Sequence, residues 1–289
     1  MESELKRAEA LGAERRLATP PSSVMLNELA RDFPHFSEVV ALIRRQCALA
    51  AVTSGREFQL PPILLSGDPG VGKTAFAESL ARAMGQPFQR VDIASTTAGF
   101  AIAGSHATWS GAKHGAVWSL LQAPSASGLL MLEELDKAPQ SNFPVLGSLY
   151  ALLEPVSAVH FTDEYVGLPV DASHLTVVAT CNEPGQLEGA LRSRFREFSI
   201  PMPRPSDMPA IARSVYRQIR RSRSWARSFD EELPEAVIER LQEATPRELA
   251  RALEDAHAHA ASEGRLHLLA DDVTVHQRGK HGKPRVGFV

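Results

Sequence analysis

Cysteine is scarce. The chain of 289 residues has two, Cys47 and Cys181, far apart and without metal-ligand spacing, which argues against a disulfide-stapled scaffold or a thiolate metal site. Long hydrophobic runs are missing too, and none approaches the roughly 18 residues that span a bilayer. The first sixteen residues, MESELKRAEALGAERR, are charged and have no apolar stretch of the kind a secretory signal needs. These absences predict a cytoplasmic protein with no membrane partner. Net charge is only −3, so the surface as a whole is not built to hold a polyanion. Internal repeats and low-complexity tracts are absent as well. Aromatic residues make up just 6% of the chain, with three tryptophans. One of these, Trp109, sits among small residues in GSHATWSGAKHG, where little local structure can bury it.

What is present is an ordinary globular composition, 44% hydrophobic and 22% charged, in a chain long enough for one large domain or two modest ones. Residues 1–34 read as a mixed N-terminal extension: a short solvated helix over Met1–Arg16, then the break TPPSS. Phe36, Val39, Val40, Ile43, Cys47 and Ala50 share a helical face. Strands and helices then alternate. PILLSG, FQRVDI, GLLMLEE, LTVVATCN and EFSI predict five strands, and Thr74–Met84, Lys113–Gln122, Val145–Leu153 and Leu187–Arg192 predict helices. This pattern predicts an α/β domain over 35–205, a parallel sheet between two helical layers. PMPRPSDMP reads as a linker. Residues 206–275 then predict a small all-α lid, with helices over Ile211–Arg221, Pro234–Ala244 and Arg247–Ala261, and LLADDV starting a last one. Leu249, Leu253, Ala256 and Ala260 form one stripe of this lid. The tail over 276–289 is basic.

GDPGVGKT follows a predicted strand and opens a predicted helix, and it fits G-x-x-x-x-G-K-[ST]. Glycines let backbone N–H groups turn toward phosphates, and the helix N-terminus favours anions. The expected nucleotide segment is Gly67, Asp68, Pro69, Gly70, Val71, Gly72, Lys73, Thr74 and Ala75. Lys73 is expected to reach the β- and γ-phosphates of ATP, and Thr74 to ligate Mg²⁺. The third strand runs into acid at Glu133 and Glu134, where ligands bind a parallel sheet. Glu133 is expected to hold the Mg²⁺ water shell and Glu134 to act as base toward the attacking water.

With these motifs in view, the region from Pro61 to Ala261 resembles an AAA+ ATPase, a P-loop NTPase, and is most similar to the ATPase module of Lon-type proteases. GDPGVGKT corresponds to Walker A and LLMLEELDK to Walker B, with Glu133 standing where the family usually has aspartate. The extra methylene bears on hydrolysis more than on binding. Asn182 resembles sensor 1, Arg194 (with Arg192 as second choice) the arginine finger, and Arg247 in TPRELARALEDA sensor 2. An arginine finger implies a ring in which a neighbouring copy completes each site. TWSGAKHG corresponds to a pore loop, so the resemblance implies that Trp109, with Ser110 and Gly111, grips a polypeptide; the alternative is that Trp109 folds into a core. AVHFTDEYVGLPV resembles an inserted hairpin, where Phe161 and Tyr165 are either a second pore contact or ordinary cross-strand packing. The chain departs from Lon in having few residues after the Arg247 helix, so a protease domain in cis is not expected, nor is a substrate-selecting domain like that of Lon.

The expected function is a homo-oligomeric, hexameric ATPase that remodels or threads protein, acting on polypeptide directly or through an effector protein. Two alternatives remain. IARSVYRQIRRSRSWAR carries six arginines and no acid, and with Trp225 and Tyr216 it suits a nucleic-acid motor or clamp. Glu133 suits a nucleotide-gated scaffold with slow turnover.

Overall fold

The computed structural model describes residues 2–12, 15–54, 58–95, 98–138, 145–242 and 244–274. The basic tail therefore lies outside the described residues. The chain divides into two compact units, Met1–Met202 and Pro203–Val289.

In the first unit the elements run α1 (Glu2–Leu11), α2 (Ser23–Asp32), α3 (Ser37–Val52), β1 (Ile63–Ser66), α4 (Lys73–Ala83), β2 (Phe88–Asp92), α5 (Ala98–Ala103), α6 (Ala116–Leu121), β3 (Leu129–Glu133), α7 (Val145–Leu153), α8 (Pro155–Ala158), β4 (Phe161–Thr162), β5 (Pro169–Val170), β6 (Thr176–Cys181), α9 (Gly189–Arg192) and β7 (Arg196–Ser199). Five strands form a parallel sheet in the order β2-β3-β6-β1-β7. The central strands β1 and β6 are buried at every position, as apolar runs covered on both faces must be. Successive side chains alternate between faces. Ile63, Leu65, Leu129 and Met131 pack against α2, α3 and α4 and the turn between α2 and α3, through Leu29, Phe36, Ile43, Phe76 and Leu80. Leu64, Leu130 and Leu132 pack on the other face against Ile102, Val117 and Leu149 of α5, α6 and α7.

Residues 1–34 are not merely an extension. The first helix does bury nothing. The second, however, is capped by Ser22, whose hydroxyl accepts from the Met25 N–H, and it buries Leu26 and Leu29. Phe33 meets Phe76 edge-on at 5.5 Å, and Phe36 stacks on the same ring at 4.4 Å. This segment is thus part of the layer that holds α4 in place.

The hairpin pairs Phe161 with Val170 and Thr162 with Pro169, antiparallel. Phe161 is only 2% exposed and belongs to the core under α5 and α7. Of the two roles left open for Phe161, this burial favours packing, because an aromatic at the strand start contributes more by burial than by facing water. Tyr165 is half-buried.

The second unit holds α10 (Met208–Ser222), α11 (Glu235–Leu241) and α12 (Pro246–Ser262). The stripe Leu249, Leu253, Ala256 and Ala260 is fully buried in its core. A reciprocal pair of bonds between Thr245 and Glu248 opens α12. LLADDV forms a short 3-10 turn, Ala270–Asp272, instead of a helix. Its buried Asp272 is gripped by Arg265 through two N–H donors, at 2.6 and 2.8 Å, and this guanidinium holds the carboxyl well below the usual carboxylate range. At least three of the six arginines of the run are bonded within the fold: Arg213 pairs with Glu235, Arg223 with Glu254, and Arg220 donates to the carbonyls of Ala226, Phe229 and Asp230. Tyr216 is 2% exposed, and its hydroxyl donates to the Asp230 carbonyl, so it is not available to stack on a base. Among the described residues no helix is long and apolar enough to cross a membrane.

Candidate functional site

The loop between β1 and α4 is shaped by its glycines. Gly67 has φ +148°, and a Cβ there would lie 2.5 Å from the Ile200 carbonyl oxygen, a contact that real side chains do not tolerate. Gly72 caps α4 at φ +99°. The turn so formed brings the amide end of α4 to the carboxyl edge of the sheet, where a phosphate is favoured. Lys73, the first residue of α4, is buried. Its ammonium donates to the Gly67 carbonyl (2.5 Å), the Asp68 carbonyl (3.2 Å) and Asn182 Oδ1 (3.1 Å). Burial lowers the Lys73 pKa, and the surrounding negative groups oppose the shift.

Thr74 and Glu133 meet directly: the Thr74 hydroxyl donates to Glu133 Oε1 at 2.7 Å. Glu133 Oε2 faces Arg90 Nε of β2 at 3.3 Å. The longer carboxylate at 133 therefore does reach the hydroxyl. Two hard oxygen donors side by side suit Mg²⁺, which keeps several waters and takes few protein ligands. Glu134 ends the strand in a left-handed conformation, φ +54°, uncommon for a residue with a side chain. Its N–H donates to the Thr180 hydroxyl at 3.2 Å, and its half-exposed carboxylate pairs with Lys137 at 3.0 Å.

Two residues not singled out in the sequence complete this cluster. Asp136 accepts from the backbone N–H groups of Asn182 (3.1 Å) and Glu183 (3.0 Å), and so fixes the end of β6 from the end of β3. The imidazole Nε2 of His35 lies 2.8 Å from the Val71 carbonyl, within the glycine loop. Asp136 stands two positions beyond Glu134 in the quoted motif, a readable signal. Nothing local marks His35.

Residues 63–202 match the family described as ATPase family associated with various cellular activities (AAA). This region belongs to the AAA family. The AAA domain is similar to the peroxisomal Lon protease homolog 2 of Pichia angusta, 33% identical over 143 residues that cover 48% of this chain and 15% of that protein. Lon protease 4 of Sorangium cellulosum is 32% identical over 199 residues, 66% of this chain and 25% of that one. The chain thus spans a quarter or less of the length of these relatives. In fold it is similar to Hsp104 of S. cerevisiae, solved as a complex with casein, with a TM-score of 0.65 at 14% identity over 90% of this chain and 51% of that one. A mutant of Thermotoga maritima RuvB gives 0.53 at 16% identity, over 82% and 67%.

The remaining expected residues lie elsewhere. Around α9 of the AAA domain, Arg192 is exposed and bonded to Glu197 at 2.6 Å. Arg194 is half-buried: it donates to the Ala190 carbonyl, lies 4.7 Å above the Tyr150 ring and faces Glu154 at 3.6 Å. Trp109 is 44% exposed on a turn between α5 and α6, edge-on to Phe100 at 5.1 Å, and is not folded into the core. Ser110 and Gly111 beside it are exposed, Gly111 at φ +79°. Arg247, in the second unit, is exposed at the second position of α12.

Proposed function

We propose that this AAA ATPase hydrolyses ATP in a hexameric ring of its own copies and uses the cycle to thread or remodel polypeptide. The observation that carries the reading is the convergence of two hydrogen-bonded pairs at the glycine loop, Lys73 with Asn182 and Thr74 with Glu133. Lys73 binds the β- and γ-phosphates, exchanging the two loop carbonyls for phosphate oxygens. Thr74 and Glu133 are the residues that would hold Mg²⁺, which would supply neutralisation of phosphate charge. Glu134 takes a proton from water as its oxygen attacks the γ-phosphorus; the bond to the β-phosphate oxygen breaks and ADP leaves. Asn182 orients that water. Arg194 serves the site of the neighbouring copy, with Arg192 as the second choice.

Trp109 contacts the polypeptide, since a flat aromatic grips many side chains with little preference. Its exposure in a chain with few aromatics supports this role. The complex of the similarly folded Hsp104 with casein makes casein a suitable probe. In Trp109→Ala, ATP hydrolysis without substrate should stay within about twofold of wild type, while the casein-stimulated component disappears, because the side chain carries only the substrate contact. Full casein stimulation in that variant would rule out threading through Trp109.

A further inference from the structure

The loop that carries Trp109 and the hairpin β4–β5 are far apart in sequence, yet one buried carboxylate joins them. Asp163 has no exposed surface. Its Oδ2 accepts from the Gly115 N–H at 2.7 Å, at the far end of the Trp109 loop. Its Oδ1 accepts from the N–H groups of Tyr165 (3.0 Å) and Val166 (3.1 Å), which closes the hairpin turn. The next residue, Glu164, donates its N–H to the Ala103 carbonyl at 2.7 Å, at the near end of the same loop. Gly104 presses against the carboxylate as well: a Cβ there would sit 2.7 Å from Asp163 Oδ1. A Cβ on Gly115 would collide with the Ile102 carbonyl, so both loop ends come together only because both are glycine.

Between these ends the loop is closed on itself. Ser105 N–H donates to the Lys113 carbonyl (3.0 Å), and Lys113 N–H to the Ser105 hydroxyl (3.1 Å). The tip is a tight turn, Trp109 N–H to His106 carbonyl and Ala112 N–H to Trp109 carbonyl. A displacement at the hairpin therefore passes to Trp109 through a short hydrogen-bonded neck. A buried carboxylate is costly unless its oxygens are satisfied, and here both are, by N–H groups from two separate segments. The turn at Tyr165 and Val166 needs one oxygen alone. The second serves only the join.

Resting on the threading reading, we propose that Asp163 is a positioning residue that locks the hairpin to the Trp109 loop, so that both move as one body against the polypeptide. Leu168, 47% exposed beyond the hairpin turn, is then the hairpin's apolar contact in place of Phe161. The test is Asp163→Asn, which keeps the size and one acceptor oxygen for the hairpin turn but sets an NH₂ group against the Gly115 N–H. Hydrogen exchange at the Gly115 amide should rise by about tenfold or more as its bond is lost. Casein-stimulated ATP hydrolysis should fall by about fivefold or more, with unstimulated hydrolysis within about twofold. Unchanged exchange at Gly115, or raised exchange with full casein stimulation, overturns the proposal. Should Asp163→Asn not fold, Gly104→Ala pushes on the same carboxylate and must reproduce the loss; full stimulation there also overturns it. Trp109→Ala run alongside separates the two ideas. If that variant keeps its casein response, threading fails on its own terms, while the Gly115 exchange still reports on the join.

Discussion

Lys73→Ala loses ATP affinity by about 10²–10³-fold, and its melting temperature no longer responds to ATP. The magnitude follows from two charge-assisted bonds to phosphate at about 1.5–3 kcal/mol each, offset by the loop carbonyls the ammonium leaves behind. The unliganded fold should hardly suffer. Lys73 is a buried cation whose pKa burial has lowered, so removing it relieves a desolvation cost. Thermal melts with and without ATP separate these effects. Wild type gains stability in proportion to ligand occupancy, and the variant does not. An unchanged ATP-dependent shift in the variant would mean that nucleotide binds somewhere other than the glycine loop.

Glu134→Gln should keep ATP affinity near wild type and lose turnover by about 10²–10⁴-fold, the range for removing a positioned base. The carboxylate is placed for this task. It stands at the end of β3, turned out of the strand by a left-handed backbone, with the Thr180 hydroxyl holding its N–H and Lys137 beside its carboxylate. Glutamine keeps the shape and cannot take the proton. Single-turnover hydrolysis with excess enzyme is the direct readout, since it reports chemistry without product release. A fall of less than about fivefold would move the base elsewhere, with the carboxylate of Asp136 next in line by position.

The parts legible in the sequence were those whose signal is local. The glycine loop states its need for positive φ and an anion site within eight residues, and strands such as LLMLEE state burial by being apolar throughout. The lid stripe from Leu249 to Ala260 is equally local. Helix α2 was hidden because TPPSS reads as a break, although the first of its two serines, Ser22, is the cap that starts the helix. Phe161 was legible as part of a hairpin, while the face it takes depends on α5 and α7, which pack under it from elsewhere in the chain. Asp163, His35 and Arg90 were not legible at all. Each matters through one partner far along the chain, Gly115, Val71 and Glu133, and no local pattern distinguishes such a residue from an ordinary surface charge or turn.

A complementation assay reaches the centre of the account, a nucleotide pocket in one copy finished by an arginine from the next. Lys73→Ala chains keep Arg194 but cannot grip the phosphates, and Arg194→Ala chains do the reverse. Each alone should hydrolyse ATP at about a hundredth of the wild-type rate or less, in line with removal of a charge-stabilising arginine or the phosphate lysine. Mixed, they should regain activity that depends on the mixing ratio, because some interfaces then pair an intact pocket with an intact arginine. Full activity of Arg194→Ala alone, or a mixture no more active than its parts, would contradict the shared site.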